Sequence, residues 1–149
     1  MNLQTIGITL VVLALYIIIR KYYKNSFLRS PEIKQLLAEL NIKPKHFLKA
    51  ENFRILLDSE RKKLVVIGGE NEEIRQVYDL QKAEKCTIKE RFAEEVTIAS
   101  SLIIEFIDME QASILFFEKE RDSPYNKRWL LIQIDNWKKL IDSVIAGHH

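Results

Sequence analysis

The sequence predicts an α+β protein in which an N-terminal transmembrane helix precedes a mainly antiparallel β-domain with a C-terminal amphipathic helix. Three observations predict this class. Residues 1–19 carry no charged side chain, apolar and polar residues alternate along much of 53–134, and apolar residues from Trp137 to Ile145 follow a helical spacing. With 149 residues, the chain has room for one compact domain beyond the membrane segment.

The N-terminal segment Leu3–Ile19 is apolar on every side. As a helix it spans about 25 Å, close to the ~30 Å thickness of a hydrocarbon core. Cations follow it directly, at Arg20, Lys21 and Lys24. A cleaved signal peptide fits less well, because the positive charge follows the apolar stretch and no small-residue cleavage site is present. A buried core helix also fits less well, since such a helix usually keeps one polar side.

The basic flank predicts the orientation of the chain. Because Arg20, Lys21, Lys24 and Arg29 all follow the apolar segment, residues 20–149 are expected in the cytoplasm, with the anchor in the inner (cytoplasmic) membrane. The predicted parts are therefore a transmembrane helix with its flank, 1–29, and a cytoplasmic β-rich domain, 30–149. Beyond the flank, acidic residues slightly outnumber basic ones, so the charge pattern of a nucleic-acid binder is absent.

A short helix is predicted at the start of this domain, over 30–42. Ser30 is its expected N-cap, and Pro31 occupies the first helical position. Asn41 and Pro44 end it. Its apolar stripe consists of Ile33, Leu36, Leu37 and Leu40. We expect this stripe to dock on the β-domain, because a free apolar stripe beside a bilayer would adhere to it.

Seven strands in meander order are predicted next, over 53–57, 63–67, 74–80, 84–90, 96–108, 113–118 and 129–134. The first two form a β-hairpin around the polar turn Asp58–Arg61. A helix over 135–146 follows, with Asp135 as N-cap and Trp137 in its apolar stripe. This order predicts a closed or nearly closed barrel that the helix covers at one end. The alternative is an α+β sandwich with both helices on one sheet face.

Few residues could carry catalysis or bind a metal. His46 lies beside Lys45 and Lys49, and this positive neighbourhood disfavours a base that must become charged, so we interpret it as a linker residue. Cys86, the single cysteine, is predicted to be a small buried residue of a strand. Acidic residues follow Gly68-Gly69, unlike a phosphate-binding loop. We therefore assign no catalytic, cofactor-binding or metal-ligating residue and predict that the domain is not an enzyme.

A basic turn is a candidate contact for anionic lipid. It consists of Arg61, Lys62 and Lys63 in the first hairpin. Each cation near an anionic surface adds about 1 kcal/mol of attraction. Asp58 and Glu60 flank the turn, however, and a solvated turn is the simpler interpretation.

Aromatic residues near the end of the strand region form a candidate partner surface, at Phe117, Tyr125 and Trp129. Alternation along the strand places either Phe116 or Phe117 outward. The other interpretation is that the N-terminal helix covers this outward phenylalanine.

The order of elements resembles the pleckstrin-homology-like fold, in which seven antiparallel strands precede one capping helix. The resemblance covers about residues 53–146 and depends on the hairpin FRILLDSERKKLVVIGG and the closing helix DNWKKLIDSVI. A membrane segment ahead of such a domain is similar to the arrangement in small bacterial proteins with these modules. The resemblance implies a binding scaffold without catalysis and names no ligand.

Three functions are consistent with this reading. A non-enzymatic membrane-tethered protein-binding module is favoured, because a scaffold without a catalytic site most often recognises another molecule. An immunity or antitoxin-type protein that neutralises a cognate toxin is the first alternative. A peripheral anionic-lipid sensor, using Lys43–Lys49 and Arg61–Lys63, is the second. Neither nucleic acid nor a small-molecule substrate is expected as a partner.

The basic flank should determine the orientation of the membrane helix. Replacing Arg20, Lys21 and Lys24 by Glu is expected to weaken or invert it, because the positive charges hold this flank in the cytoplasm. Protease protection of the C-terminal domain in membrane vesicles measures the orientation. Replacing the cations of the basic turn by Glu is the matched control and should leave it unchanged. Release of the wild-type chain by a carbonate wash would contradict the anchor itself.

Overall fold

Helix α1 extends over Leu3–Ser26 in a computed structural model that describes residues 2–26, 31–68 and 74–147. Its part Leu3–Lys21 contains 19 residues with a mean hydropathy of 2.0, and none of it is buried. The helix is therefore long and apolar enough to cross a membrane, as the sequence predicts. It continues past the predicted end at Ile19 and includes the positions of Arg20, Lys21 and Lys24.

Helix α2, Pro31–Leu40, belongs with α1 to the first of two compact units, Met1–Ile42 and Lys43–His149. It ends at Asn41, whose φ of 51° lets the amide of Ile42 donate to the carbonyl of Leu37 at 2.9 Å. Ile33 and Leu36 are buried. The predicted helix and its end are confirmed, whereas its predicted N-cap, Ser30, lies outside the described residues. Docking of its apolar stripe stays a prediction.

The unit Lys43–His149 contains two antiparallel sheets and one long helix. The first sheet is a meander of β1 (His46–Lys49), β2 (Phe53–Asp58), β3 (Lys63–Gly68) and β4 (Ile74–Asp79). The second contains β5 (Ala83–Ala93), β6 (Val96–Phe106) and β7 (Ala112–Glu118), and helix α3 follows over Lys127–Ile145. Among the described residues the strands pair only within these two sheets, so the predicted closed barrel is wrong.

The predicted seventh strand, 129–134, is also wrong, because these residues form the first turns of α3. The pattern of this stretch fits either a strand or a helix when it is taken alone. Burial follows the helical spacing through the whole element, at Leu130, Ile134, Trp137, Ile141 and Val144. The helix predicted over 135–146 therefore begins at Lys127, and Asp135 is an exposed residue within it rather than its N-cap.

The sequence does not predict strand β1, and His46 is its first residue rather than a linker residue. This strand has four residues, and only Leu48 among them is buried. A segment this short shows too little alternation of apolar and polar residues to be recognised from the sequence. The strand forms by pairing with β2, where His46 lies opposite Leu57 and Lys49 opposite Arg54. Pairing with a strand that is already apolar overrides the weak local signal.

One apolar core joins the two sheets to α3. Phe53 of β2 contacts Phe116 of β7, with ring centroids 5.0 Å apart. A 3₁₀ turn, Leu80–Lys82, connects the sheets: the amide of Leu80 donates to the carbonyl of Lys62, and the amide of Ile107 donates to the carbonyl of Lys82. Further core residues are Ile55, Leu57, Leu64, Cys86, Leu102, Ile104, Ile134, Trp137 and Ile141.

A β-bulge in the β6–β7 pair changes the direction of one predicted surface residue. Ser100 lies opposite Phe117 and Ser101 opposite Leu115, so Phe116 is an extra residue without a cross-strand partner. Phe116 and Phe117 consequently both point into the core, and Phe117 is only 2 % exposed. The prediction that alternation leaves one of them outward, and that Phe117 belongs to a partner surface, is therefore wrong.

The β5–β6 hairpin closes through an unusual turn. Glu94 and Glu95 connect the paired residues Ala93 and Val96, and their φ angles are 50° and 65°. Two consecutive left-handed residues are typical of a type I′ turn, which usually contains Asn-Gly. Glutamate does not favour this conformation, so the pairing of the two strands, rather than the turn residues, must stabilise it.

Trp137 should make a large contribution to the stability of the domain. It is 3 % exposed in the core, as predicted. Replacing Trp137 by Ala is expected to lower the free energy of unfolding by about 3–5 kcal/mol, because it leaves a cavity. Urea denaturation of the full chain in detergent, followed by circular dichroism, measures this loss. Trp129→Ala on the same helix is the control and should cost less than about 1 kcal/mol; equal losses would contradict the prediction.

Candidate functional site

The predicted membrane flank lies on the C-terminal part of α1. The side chains of Arg20 and Lys21 are exposed there. Lys24 is also helical, and Arg29 lies outside the described residues. The structure therefore places two of the predicted cations just after the most apolar part of α1, at the position expected for a membrane boundary.

The basic turn between β2 and β3 is already engaged with acidic residues. The guanidinium of Arg61 lies 3.2 Å from the carboxylate of Asp58, and the ammonium of Lys63 lies 3.3 Å from Asp79. Lys62 has a φ of 54° and makes no ion pair with a residue that the structure describes. Nearby, Lys45 pairs with Glu60 at 2.7 Å. Much of the positive charge proposed for lipid contact is thus neutralised within the chain.

Asp58 organises this turn from a buried position. One carboxylate oxygen accepts from the amides of Glu60 and Arg61, at 3.1 and 3.0 Å. The other accepts from the amide of Lys43 at 2.9 Å and from the Arg61 guanidinium. Burial raises the pKa of Asp58, but the hydrogen bonds from Arg61 and Lys43 outweigh this effect and hold its pKa below the ordinary value. The charged carboxylate therefore stabilises the turn.

Tyr125 and Trp129 form the part of the predicted partner surface that is exposed; together they are called the aromatic pair below. Tyr125 is 95 % exposed on the 3₁₀ turn Pro124–Asn126, and Trp129 is 41 % exposed on the first turn of α3. The third predicted member, Phe117, lies in the core, with the ammonium of Lys127 5.6 Å from the centre of its ring.

Hydrogen bonds around the buried Asp122 hold the segment that precedes Tyr125. The carboxylate of Asp122 accepts from the Asn52 amide group at 2.7 Å and from the backbone amide of Glu118 at 2.9 Å. It also pairs with Arg121 at 3.0 Å. At the turn itself, the side-chain amide of Asn126 donates to Glu51 at 3.2 Å. These bonds join the segment around the 3₁₀ turn to the β1–β2 connection and restrain the turn that carries Tyr125.

A groove of about 400 Å³ runs along α3 beside the aromatic pair. Its lining combines apolar side chains with charges of both signs, from Pro124, Lys127, Arg128, Leu131, Ile132 and Asp135. The sequence-based prediction does not group its α3 residues, because it places a strand over 129–134. The signal that would have found them is the helical spacing of Arg128, Leu131, Ile132 and Asp135.

A second hollow of about 350 Å³ lies on the face of β5–β7. Its polar lining includes Lys89, Arg91, Ser101, Ser113 and Glu118. Both signs of charge occur in it, so its lining indicates no single class of ligand.

The residues considered for catalysis lie apart in the fold. His46 is exposed on β1, whereas Cys86 is buried on β5, where burial and the charge of Asp142 raise its pKa to about 12. Among the described residues no group of three or more His, Cys, Asp or Glu side chains is placed to hold a metal ion.

Comparison with known proteins gives no match for the chain at any of three levels. No protein family, curated protein or solved structure matches it.

Asp58 should make stability depend on acidity. Folding lowers its pKa below 3.8, so its contribution is fully present above that value and is lost as the pH falls through the folded-state pKa. Asp58→Asn is expected to cost about 1–3 kcal/mol at neutral pH, because an amide cannot accept all four hydrogen bonds. Urea denaturation should show this deficit shrinking below pH 3.8. Glu60→Gln, an exposed control, should stay close to wild type, and a deficit independent of pH would contradict the assignment.

Proposed function

We propose that this chain is a non-enzymatic, membrane-tethered protein-binding module. In this proposal α1 anchors the chain in the cytoplasmic membrane and residues after it lie in the cytoplasm. The β-rich unit then serves as a pleckstrin-homology-like scaffold that presents the aromatic pair to a protein partner.

The exposure of the aromatic pair is the observation that carries this proposal. A tyrosine that is 95 % exposed contributes nothing to folding through burial, and its position on a hydrogen-bonded turn lowers the entropy lost on binding. Tyr and Trp are also the residues most often responsible for binding energy at protein interfaces. Lys127, which lies between Tyr125 and Trp129 in the sequence, adds a charged side chain to the border of this contact.

The anchor adds a second advantage to a surface of this size. Confinement to a membrane raises the effective concentration of a tethered module toward partners in the same membrane. A small contact around two aromatic side chains can therefore be sufficient for recognition. The lipid-sensor alternative is disfavoured because Lys45, Arg61 and Lys63 are paired with acidic side chains.

Photo-cross-linking in native membranes tests the proposal. A benzophenone amino acid replaces Tyr125 or Trp129 in the full chain, and Phe92 provides a matched control, since it is an aromatic residue of β5 that is 57 % exposed. Positions 125 and 129 are expected to give the same discrete protein adduct, and position 92 is not. Trp129→Ala should reduce the adduct at position 125 by roughly tenfold or more.

Two results would contradict the proposal. One is the absence of a discrete protein adduct at both positions. The other is an adduct with lipid alone, which shifts the band far less than a protein does and would favour the lipid-sensor alternative.

A further inference from the structure

The solvent side of α3 carries an apolar centre between two opposite charges. Arg128, Leu131, Ile132 and Asp135, called the α3 strip below, occur at the spacing i, i+3, i+4, i+7 and therefore share one side of the helix. Leu131 is half-buried and Ile132 is 49 % exposed, while Arg128 and Asp135 are exposed. Arg128, Ile132 and Asp135 project away from the buried stripe that contains Ile134 and Trp137, whereas Leu131 lies at the border of that stripe and packs partly against the core.

The two charges of the strip are available for a contact outside the chain. In the described part of the protein, neither Arg128 nor Asp135 has an ion-pair partner within 4.0 Å, although Lys138 and Asp142 pair on the same helix. Arg128 and Asp135 are seven residues apart, which is about two helical turns, and this separation is too long for a direct pair along the helix.

The arrangement is complementary to itself. If a second α3 lies antiparallel to the first, with a two-fold axis between Leu131 and Ile132, Arg128 faces the partner's Asp135. The same rotation places Asp135 opposite the partner's Arg128, and Leu131 opposite the partner's Ile132. A contact in which each residue meets its counterpart in this reciprocal way is what a two-fold symmetric dimer requires.

We propose that the α3 strip binds a second copy of this chain through antiparallel packing of the two α3 helices. Two reciprocal ion pairs then flank an apolar centre of four side chains. The contact is smaller than that of most stable soluble dimers, so it depends on the membrane anchor, which concentrates the copies.

This interface differs from the surface used in the proposed function. Trp129 precedes Ile132 by three residues and lies at the edge of the α3 strip, whereas Tyr125 lies outside α3, on the 3₁₀ turn. The two proposals can still fail separately, because the dimer predicts an adduct of twice the chain mass and the proposed function predicts an adduct with a different protein.

Disulfide cross-linking of the full chain in native membranes tests the dimer. Ile132→Cys places a thiol beside the proposed two-fold axis, where the two copies approach closely enough to form a disulfide. Asn136→Cys is the matched control, because it is exposed on the same helix but lies on another side. The native Cys86 is buried and should not react with the oxidant.

The proposal expects Ile132→Cys to form an adduct of twice the chain mass, several-fold more abundant than the adduct of Asn136→Cys. Adding Arg128→Glu should reduce it roughly tenfold, because like charges then face each other twice. Adding Asp135→Arg to that variant should restore it. The proposal is overturned if the first adduct is absent or no stronger than the control, if it has another mass, or if the exchange of charges fails to restore it. Thermal unfolding of each variant confirms that these surface changes leave the domain folded.

Discussion

The contact between Phe53 and Phe116 is the interaction on which the rest of the β-rich unit depends. It joins the first sheet to the second at the end of β7, where Arg121 lies over the Phe53 ring and pairs with Asp122. Asp122 in turn binds Asn52 from the β1–β2 connection. Apolar packing and a partly buried ion pair thus act together at the point where the chain leaves the sheets.

Local signals account for the elements that the sequence predicts correctly. The hairpin of β2 and β3 consists of two largely apolar runs around a polar turn, and α2 has Pro31 at its start and Asn41 at its end. Other features depend on partners that are distant in sequence. Strand β1 exists because β2 lies beside it, and Phe117 points inward because a bulge against Ser100 changes the alternation.

The groove residues on α3 could not be predicted from the sequence for a related reason. The apolar pattern of 129–134 fits the period of a strand as well as that of a helix, and only the burial pattern along the whole of α3 decides between them.

The two proposed surfaces exist because one side of α3 is fully committed to the core. Leu130, Ile134, Trp137 and Ile141 fix the rotation of the helix about its own axis. That rotation places Trp129 on one flank and the α3 strip on the solvent side. A single buried stripe therefore positions both surfaces, and Leu131 at its border joins the core to the α3 strip.

The turn at Glu94 and Glu95 bears on the order in which the β5–β6 hairpin folds. Each left-handed residue without a glycine costs roughly 1 kcal/mol or more, so this turn opposes closure instead of nucleating it. Pairing nearer the core, where Cys86 lies opposite Ile104, has to offset this cost. Closure of the tip is therefore favourable only when the strands that it connects are already paired.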